Sequence, residues 1–378
     1  MQSPLVVMVA GEASGDQHGA HLIRELKKRR PDLRVAAVGG RAMQAAGAEI
    51  VIPADRLSVV GVTEVVAKIP RLVSAMTELK RLLVRAHPDL LILIDFPDFN
   101  LHLAAAAKRA GIPVLYYISP QIWAWRAGRV KKIRARVDHM AVILPFEAEF
   151  YARHGIPVSF VGHPLMDAPE NSAAPPPCSS RPPIVALLPG SRDREVARLL
   201  PEMLKSAALL KRSHAGLRFM VSRAPTIAPA MIRDIVDRAG PADLEITDEP
   251  VHSLFSRCRV AVAASGTVTL EAALCGTPTV IAYKVSPLSY LLGRLMIRVQ
   301  HIGLANLIAG GRLMPELIQH QATAAAIARE VRTLLSDPAL YANACTGLGE
   351  VRRKLGHAGA SGRVADLACS LMEKRHAV

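Results

Sequence analysis

The chain has 378 residues, with 47 Lys and Arg against 32 Asp and Glu, a formal charge of +15 and a pI near 10. A composition 51% hydrophobic and 21% charged excludes a disordered chain and allows two domains of ordinary size. The basic excess favours an anionic partner, and arginines spread over solvated faces explain it equally well. Aromatics at 4% argue against a surface that stacks bases, so no nucleic-acid partner is expected. Five cysteines are scattered without a CxxC pair, which implies neither a disulfide framework nor a zinc site and suits a reducing compartment. The N-terminal apolar run meets Glu12 and Asp16 at once, unlike a signal peptide, and no apolar stretch approaches the ~20 residues that span a bilayer.

LVVMVA (5–10) reads as a strand, followed by GEASGDQHGAHLIREL, a small-residue turn opening a helix. Further apolar runs follow at 34–39, 89–95, 113–119, 139–145 and 158–164, with helical patterns between them. They lack period-2 alternation, as expected of strands buried on both faces of a parallel sheet. The segment 61–88 has Val62, Val65, Val66, Ile69, Val73, Met76, Leu79, Leu82 and Leu83 at helical spacing, with Lys68, Arg71, Lys80, Arg81 and Arg85 opposite. It is either an amphipathic helix packed on the sheet or, at the end carrying Val59, Val60, Val62, Val65, Val66 and Ile69, an apolar rim flanked by cations that touches lipid.

LLILIDFPDFN (90–100) closes a buried strand with Asp95 and sets Asp98 just beyond it. A carboxylate there can serve as a general base; the plainer role for Asp98 is an N-cap. SPQIWAWRAGRVKKIRARVDH (119–139) puts both tryptophans beside Arg126, Arg129, Lys131, Lys132, Arg134 and Arg136, a cluster that reads equally as a nucleic-acid contact, a membrane-interface anchor or a hold on a phosphorylated acceptor. His163, in VGHPLMD, reads as a structural histidine at a strand end.

Residues 168–183, APENSAAPPPCSSRPP, hold six prolines and three serines and read as a linker between domains 1–167 and 184–340, with a helical tail at 341–378. Strand runs resume at 184–191, 217–222, 244–249, 260–266 and 277–285. Two such α/β domains are expected to bind ligands at the carboxyl ends of their sheets, in a cleft between them. LPGSRDREV (188–196) turns through Gly190 and Ser191 into a helix, with Arg192 suited to phosphate. In ASGTVTLEAALCGTP (264–278), Ser265, Gly266 and Thr267 open a helix whose free N–H groups can hold a diphosphate, and Glu271 can accept from ribose hydroxyls. Capping by Ser265 and Thr267, with Glu271 at the surface, is the alternative. Asn306 stands among apolar residues in the Gly-rich stretch 299–317, where a buried amide needs partners. No DxD pattern occurs, so no carboxylate-held metal is indicated.

Taken together, AGEASGD (10–16), DFPDFN (95–100), SPQIWAWR (119–126), LPFE (144–147), VGHP (161–164), LPGSR (188–192), SGTVTLEAALCGTP (265–278) and HIGLANLIAG (301–310) resemble the lipid-A-disaccharide synthases in collinear order. The resemblance implies a GT-B glycosyltransferase of two Rossmann-like domains. It also implies metal-independent, inverting transfer of 2,3-diacylglucosamine from UDP-2,3-diacylglucosamine to 2,3-diacylglucosamine 1-phosphate (lipid X), without a cofactor. Such enzymes work peripherally at the cytoplasmic face of the Gram-negative inner membrane. Carried onto this chain, Asp98 would be the base. Ser265, Gly266 and Thr267 would hold the diphosphate and Glu271 the ribose, while Arg192 and Asn306 would hold phosphate and orient substrate. Glu12, Ser14 and Asp16 would line the acceptor side. The competing readings are another GT-B enzyme on UDP-GlcNAc, such as the muramyl glycosyltransferase or a 2-epimerase, and a non-catalytic basic membrane-binding protein.

Overall fold

A computed structural model describes residues 3–57, 62–125, 127–171, 175, 180–239, 244–296 and 299–376; side chains are described outside 62–68, 127, 288, 292, 295–296 and 376. The chain forms two compact units, residues 1–167 with 355–378, and residues 168–354. The first unit holds seven strands: β1 (Leu5–Ala10), β2 (Arg34–Gly39), β3 (Glu49–Pro53), β4 (Leu90–Ile94), β5 (Val114–Tyr117), β6 (His139–Val142) and β7 (Val158–Phe160). They form one parallel sheet in the order β3-β2-β1-β4-β5-β6-β7. Every residue of β4 and β5 is buried, which is why their sequences carry no alternation.

The second unit repeats the plan with β8 (Ile184–Leu188), β9 (Arg218–Ser222), β10 (Leu244–Thr247), β11 (Val260–Ala264), β12 (Thr279–Tyr283) and β13 (Glu316–Ile318), ordered β10-β9-β8-β11-β12-β13 and parallel throughout. Each sheet therefore contains the Rossmann order 3-2-1-4-5-6, whose switch point lies between the first and fourth strands. Edge strands β3 and β13 have no counterpart in the apolar pattern, being short and opened by Glu49 and Glu316.

Two segments depart from the sequence reading. The linker is anchored at its ends rather than loose: Asn171 and Arg181 are buried. The Arg181 guanidinium donates to Thr277 Oγ1 (2.6 Å) and to the carbonyls of Phe255 (3.0 Å) and Cys275 (2.5 Å). The tail is also not one piece. Helix Pro338–Lys354 packs Tyr341 and Ala344 into the core of the second unit, and helix Ala360–His376 belongs to the first. The latter buries Val364, Ala365, Ala368 and Met372 against Leu22, Ile23 and Leu26 of helix Ala13–Arg29. Its start is capped by Asp167, whose carboxylate accepts from the amides of Gly359 (2.7 Å), Ala360 (3.1 Å) and Ser361 (3.3 Å).

Asp167→Ala should therefore lower unfolding free energy by ~1–2 kcal/mol, the usual cost of a lost N-cap, as measured by urea denaturation. An unchanged midpoint would show that packing alone holds the returning helix.

Candidate active site

Register builds the site in each unit. In the first, β1 and β4 pair from Val6↔Leu90 to Ala10↔Ile94, so the turn Gly11-Glu12 emerges beside Asp95. Gly11 admits no side chain, because a Cβ there would meet the Phe96 ring at 2.6 Å. Asp95 and Phe96 both take left-handed backbone (φ 46° and 49°), a strained turn for residues with side chains. It is held by two donors to the Asp95 carbonyl, Tyr116 Oη (2.6 Å) and Asn100 Nδ2 (2.7 Å). Burial, and then the charge of Glu12, push the Asp95 carboxyl up to about 6.

Asp98 lies in the first turn of helix Pro97–Arg109, with Phe96 rather than Asp98 at the N-cap position. Its side chain is 74% exposed and accepts from Arg129 Nη2. Glu12 and Ser14 are exposed at the start of helix Ala13–Arg29. Asp16, expected on the acceptor-side wall, is instead buried and structural. Its oxygens accept from the amides of Gly40 (2.7 Å), Ala42 (3.0 Å) and Met43 (3.1 Å), capping the next helix.

Glu147, to which the sequence reading gave no role, is buried and accepts from Trp123 Nε1 (3.0 Å) and the Leu144 amide (3.1 Å). Burial raises its carboxyl to about 7 against these hydrogen bonds. The Glu147 carboxylate of LPFE thus closes the start of helix Pro145–Arg153 on the Leu144 amide and fixes Trp123. His163 is buried, accepts from the Leu165 amide (3.2 Å) and is lowered to about 4 by burial and by His18. The side chains of Val62, Val65 and Val66 lie outside the described residues, as do Val59, Val60 and Arg126; Ile69 is 48% exposed.

In the second unit, β8 and β11 pair from Val185↔Val260 to Leu188↔Ala263, which sets Pro189-Gly190-Ser191 beside Ser265-Gly266-Thr267. Gly190 needs its freedom (φ +115°), and a Cβ there would also meet Glu195 Oε2 at 2.6 Å. Ser265 Oγ donates to the Ile302 carbonyl (3.2 Å), and Thr267 precedes helix Val268–Leu274, whose Thr269 and Leu270 amides donate to the carbonyls of Gly266 (3.2 Å) and Thr267 (2.9 Å). Glu271 is half-buried, its carboxyl raised by burial and then by the charge of Glu170. Arg192 is 79% exposed and pairs with Glu195 (2.7 Å).

Asn306, expected to orient substrate, is fully buried with its amide committed within the unit. Its Nδ2 donates to the Met314 carbonyl (2.8 Å) and Glu316 Oε1 (2.7 Å), while its Oδ1 accepts from the amides of Leu313 (3.0 Å) and Met314 (2.7 Å). Glu316 also accepts from the amides of Ile302 and Gly303 (both 3.0 Å), capping helix Leu304–Ala309. Asn306 is therefore the clasp of this loop. The polar residue isolated in an apolar stretch signalled burial, and its partner Glu316, ten residues on, left no local pattern. Among the described residues no group of three or more His, Cys, Asp or Glu side chains could hold a metal ion.

The same fold occurs at low identity in other proteins. The calicheamicin glycosyltransferase CalG4 superposes with a TM-score of 0.63 at 17% identity, covering 99% of both chains. The UDP-GlcNAc 2-epimerase of Neisseria meningitidis, solved with UDP-GlcNAc, superposes with a TM-score of 0.60 at 12% identity, covering 98% of this chain and all of that one. Two Rossmann-like units of this kind define the GT-B class. The family model for lipid-A-disaccharide synthetase matches residues 6–355. The lipid-A-disaccharide synthases of Geobacter metallireducens and Geobacter sulfurreducens are 47% and 45% identical, each covering 98% of both sequences. That of Nitrosococcus oceani is 44% identical over 98% of this chain and 97% of its own length. The chain belongs to the lipid-A-disaccharide synthase family, the glycosyltransferases of lipid A biosynthesis.

Asn306→Ala would leave the Leu313 and Met314 amides unsatisfied and should cost ~2–4 kcal/mol of stability, read as a lower urea midpoint. A substrate-contacting Asn306 would instead lower transfer at unchanged stability. Asp95 titrates near 6 in the fold against 3.8 as its ordinary value, so its contribution to stability is present below about pH 4 and lost as pH rises through about 6. Asp95→Asn should consequently gain on the parent protein by ~3 kcal/mol between about pH 4 and pH 7. A pH-independent difference in urea midpoints would contradict the shift.

Proposed function

We propose that the protein transfers 2,3-diacylglucosamine, with inversion, from UDP-2,3-diacylglucosamine to the 6-hydroxyl of lipid X. The products are the β-1,6-linked disaccharide 1-phosphate and UDP. The observation that carries the reading is the register of β8 and β11. It sets two turns side by side in a member of this family, Gly190-Ser191-Arg192 and the helix-opening Ser265-Gly266-Thr267. The positive dipole end of a helix, with the small-residue turn that opens it, suits a diphosphate, whose charge grows as the sugar–phosphate bond breaks. Arg192 would exchange Glu195 for that phosphate, and Glu271 would accept from the ribose. UDP-sugar use is consistent with the UDP-GlcNAc held by the Neisseria epimerase of the same fold.

Asp98 of the first unit would take the proton from the acceptor hydroxyl, with Arg129 holding its carboxylate in place. Glu12 and Ser14, exposed after the turn that the register sets beside Asp95, would bond sugar hydroxyls. The chemistry needs no bound metal, since backbone amides and Arg192 supply the positive field. Both substrates are acylated anions, which suits peripheral attachment to the cytoplasmic face of an inner membrane; no described helix is long and apolar enough to cross one. A second reading of the base is Asp95, favoured by its raised carboxyl beside Glu12.

Asp98→Asn should lower transfer by ~10²–10⁴-fold, the usual loss of a general base, with UDP affinity within ~3-fold. If Asp95→Asn causes that loss and Asp98→Asn does not, the base is Asp95; loss of UDP affinity with either makes that residue structural. Glu271→Ala should weaken UDP binding by ~5–10-fold by calorimetry, as for one hydrogen bond to a carboxylate. Turnover of unacylated UDP-GlcNAc alone would exclude the substrate assignment.

A further inference from the structure

Helix Val62–Ala86 uses only part of its circumference for the core. Ala75, Leu79 and Leu83 are buried, while Ile69, Val73 and Val84 stand 48%, 59% and 70% exposed. At about 100° per residue, Ile69, Val73, Lys80 and Val84 fall within about 60° of one another, so one stripe mixes three exposed aliphatic side chains with a cation. Lys80 leads into an open groove of about 560 Å³, lined by Lys80, His102, Ala105, Lys108, Arg109, Ala135 and Arg136. Ala105 and Ala135 are its small side chains, and among the described residues no carboxylate lines it.

Three of the cations have a local explanation. Lys108 and Arg109 stand in the last turn of helix Pro97–Arg109, and Arg136 in that of Val130–Arg136, where the dipole favours positive charge. Lys108 also pairs with Asp138 (2.5 Å), Arg136 Nη1 donates to the Leu101 carbonyl (3.0 Å), and Arg109 Nε donates to the Ala105 carbonyl (3.2 Å). That leaves guanidinium N–H groups on Arg109 and Arg136 outside these bonds. Lys80, in mid-helix, has no such helix-end role. Four formal cations against the one Asp138 carboxylate exceed the partial charges of two helix ends.

We propose that this groove binds the phosphate headgroup of an anionic phospholipid while Ile69, Val73 and Val84 enter the boundary of the bilayer beside it. Planar guanidinium forks and an ammonium are the donors that suit phosphate oxygens, and the adjacent apolar stripe supplies what a soluble phosphate would not use. The proposal rests on the reading that the protein works at a membrane surface, and adds a defined lipid site to it. It gives part of the +15 charge a place and a purpose.

The test is partition of the full chain onto phosphatidylcholine vesicles with and without phosphatidylglycerol. Phosphatidylglycerol should raise binding, and Lys80→Gln/Arg109→Gln should lower the partition coefficient by roughly ten-fold or more, as expected for two cations at a surface. Arg34→Gln/Arg41→Gln, equal in charge and outside the groove, should lower it by less than ~3-fold. All four side chains are exposed, so the folds should survive, checked by thermal midpoint. Equal losses from both pairs would overturn the groove in favour of diffuse charge. If Ile69→Ser/Val73→Ser releases the protein and Lys80→Gln/Arg109→Gln does not, the groove fails and the bilayer reading stands. If the parent protein binds neither vesicle, both fail. If inorganic phosphate shifts the His102 ring signals and the groove pair leaves partition unchanged, the anion is soluble and the lipid assignment is overturned.

Discussion

Parallel register at the switch points is the constraint on which the rest of this protein depends. In a parallel sheet every strand ends at the same edge, and the order 3-2-1-4 sends the chain from the first and fourth strands into helices on opposite faces. The two turns between them are left uncovered by either helix. Here β1/β4 and β8/β11 are in register to their last residues, so Gly11-Glu12 meets Asp95 and Gly190-Ser191 meets Ser265-Gly266. Pairing of main chain, decided by buried apolar side chains far from the chemistry, determines which polar residues are neighbours.

Turns of this kind carry polar groups and unusual backbone, and both units hold them with buried side-chain clasps. The left-handed pair Asp95-Phe96 is tied by Tyr116 and Asn100 through one carbonyl. The loop after residue 300 is tied by Asn306 and Glu316, which bond to each other and to the main chain of residues 302, 303, 313 and 314. The Pro-rich connection ends on Arg181, buried among three carbonyls and a threonine hydroxyl. In each case a polar side chain spends most of its hydrogen bonds on backbone of its own unit, which holds the turn or loop end rigid.

Electrostatics divides in the same way. Carboxylates that are raised, Asp95, Glu147 and Glu271, are raised first by burial, so their positions record how deeply each turn is set. The excess cations instead lie on exposed helix faces, several at helix C-termini where the dipole favours them. The groove beside Lys80 differs in placing cations around small side chains next to an exposed aliphatic stripe.

The sequence by itself determined the α/β alternation, the strands with buried faces and the turns that close them, because those depend on local periodicity, glycine and proline. It also determined the family, through motifs whose order along the chain is more specific than any one of them. Edge strands β3 and β13 escaped it, since a short strand paired on one side needs no continuous apolar run. Only the tertiary structure decided that Asp16 and Asn306 are spent on caps and clasps, because their partners at 40–43 and 313–316 are joined by folding rather than by spacing. It alone returned helix Ala360–His376 to the first unit, where an apolar face already present in the sequence found the helix it covers. Motifs report which side chains a chain carries; what each is free to touch is set by the hydrogen bonds and burial that the fold imposes.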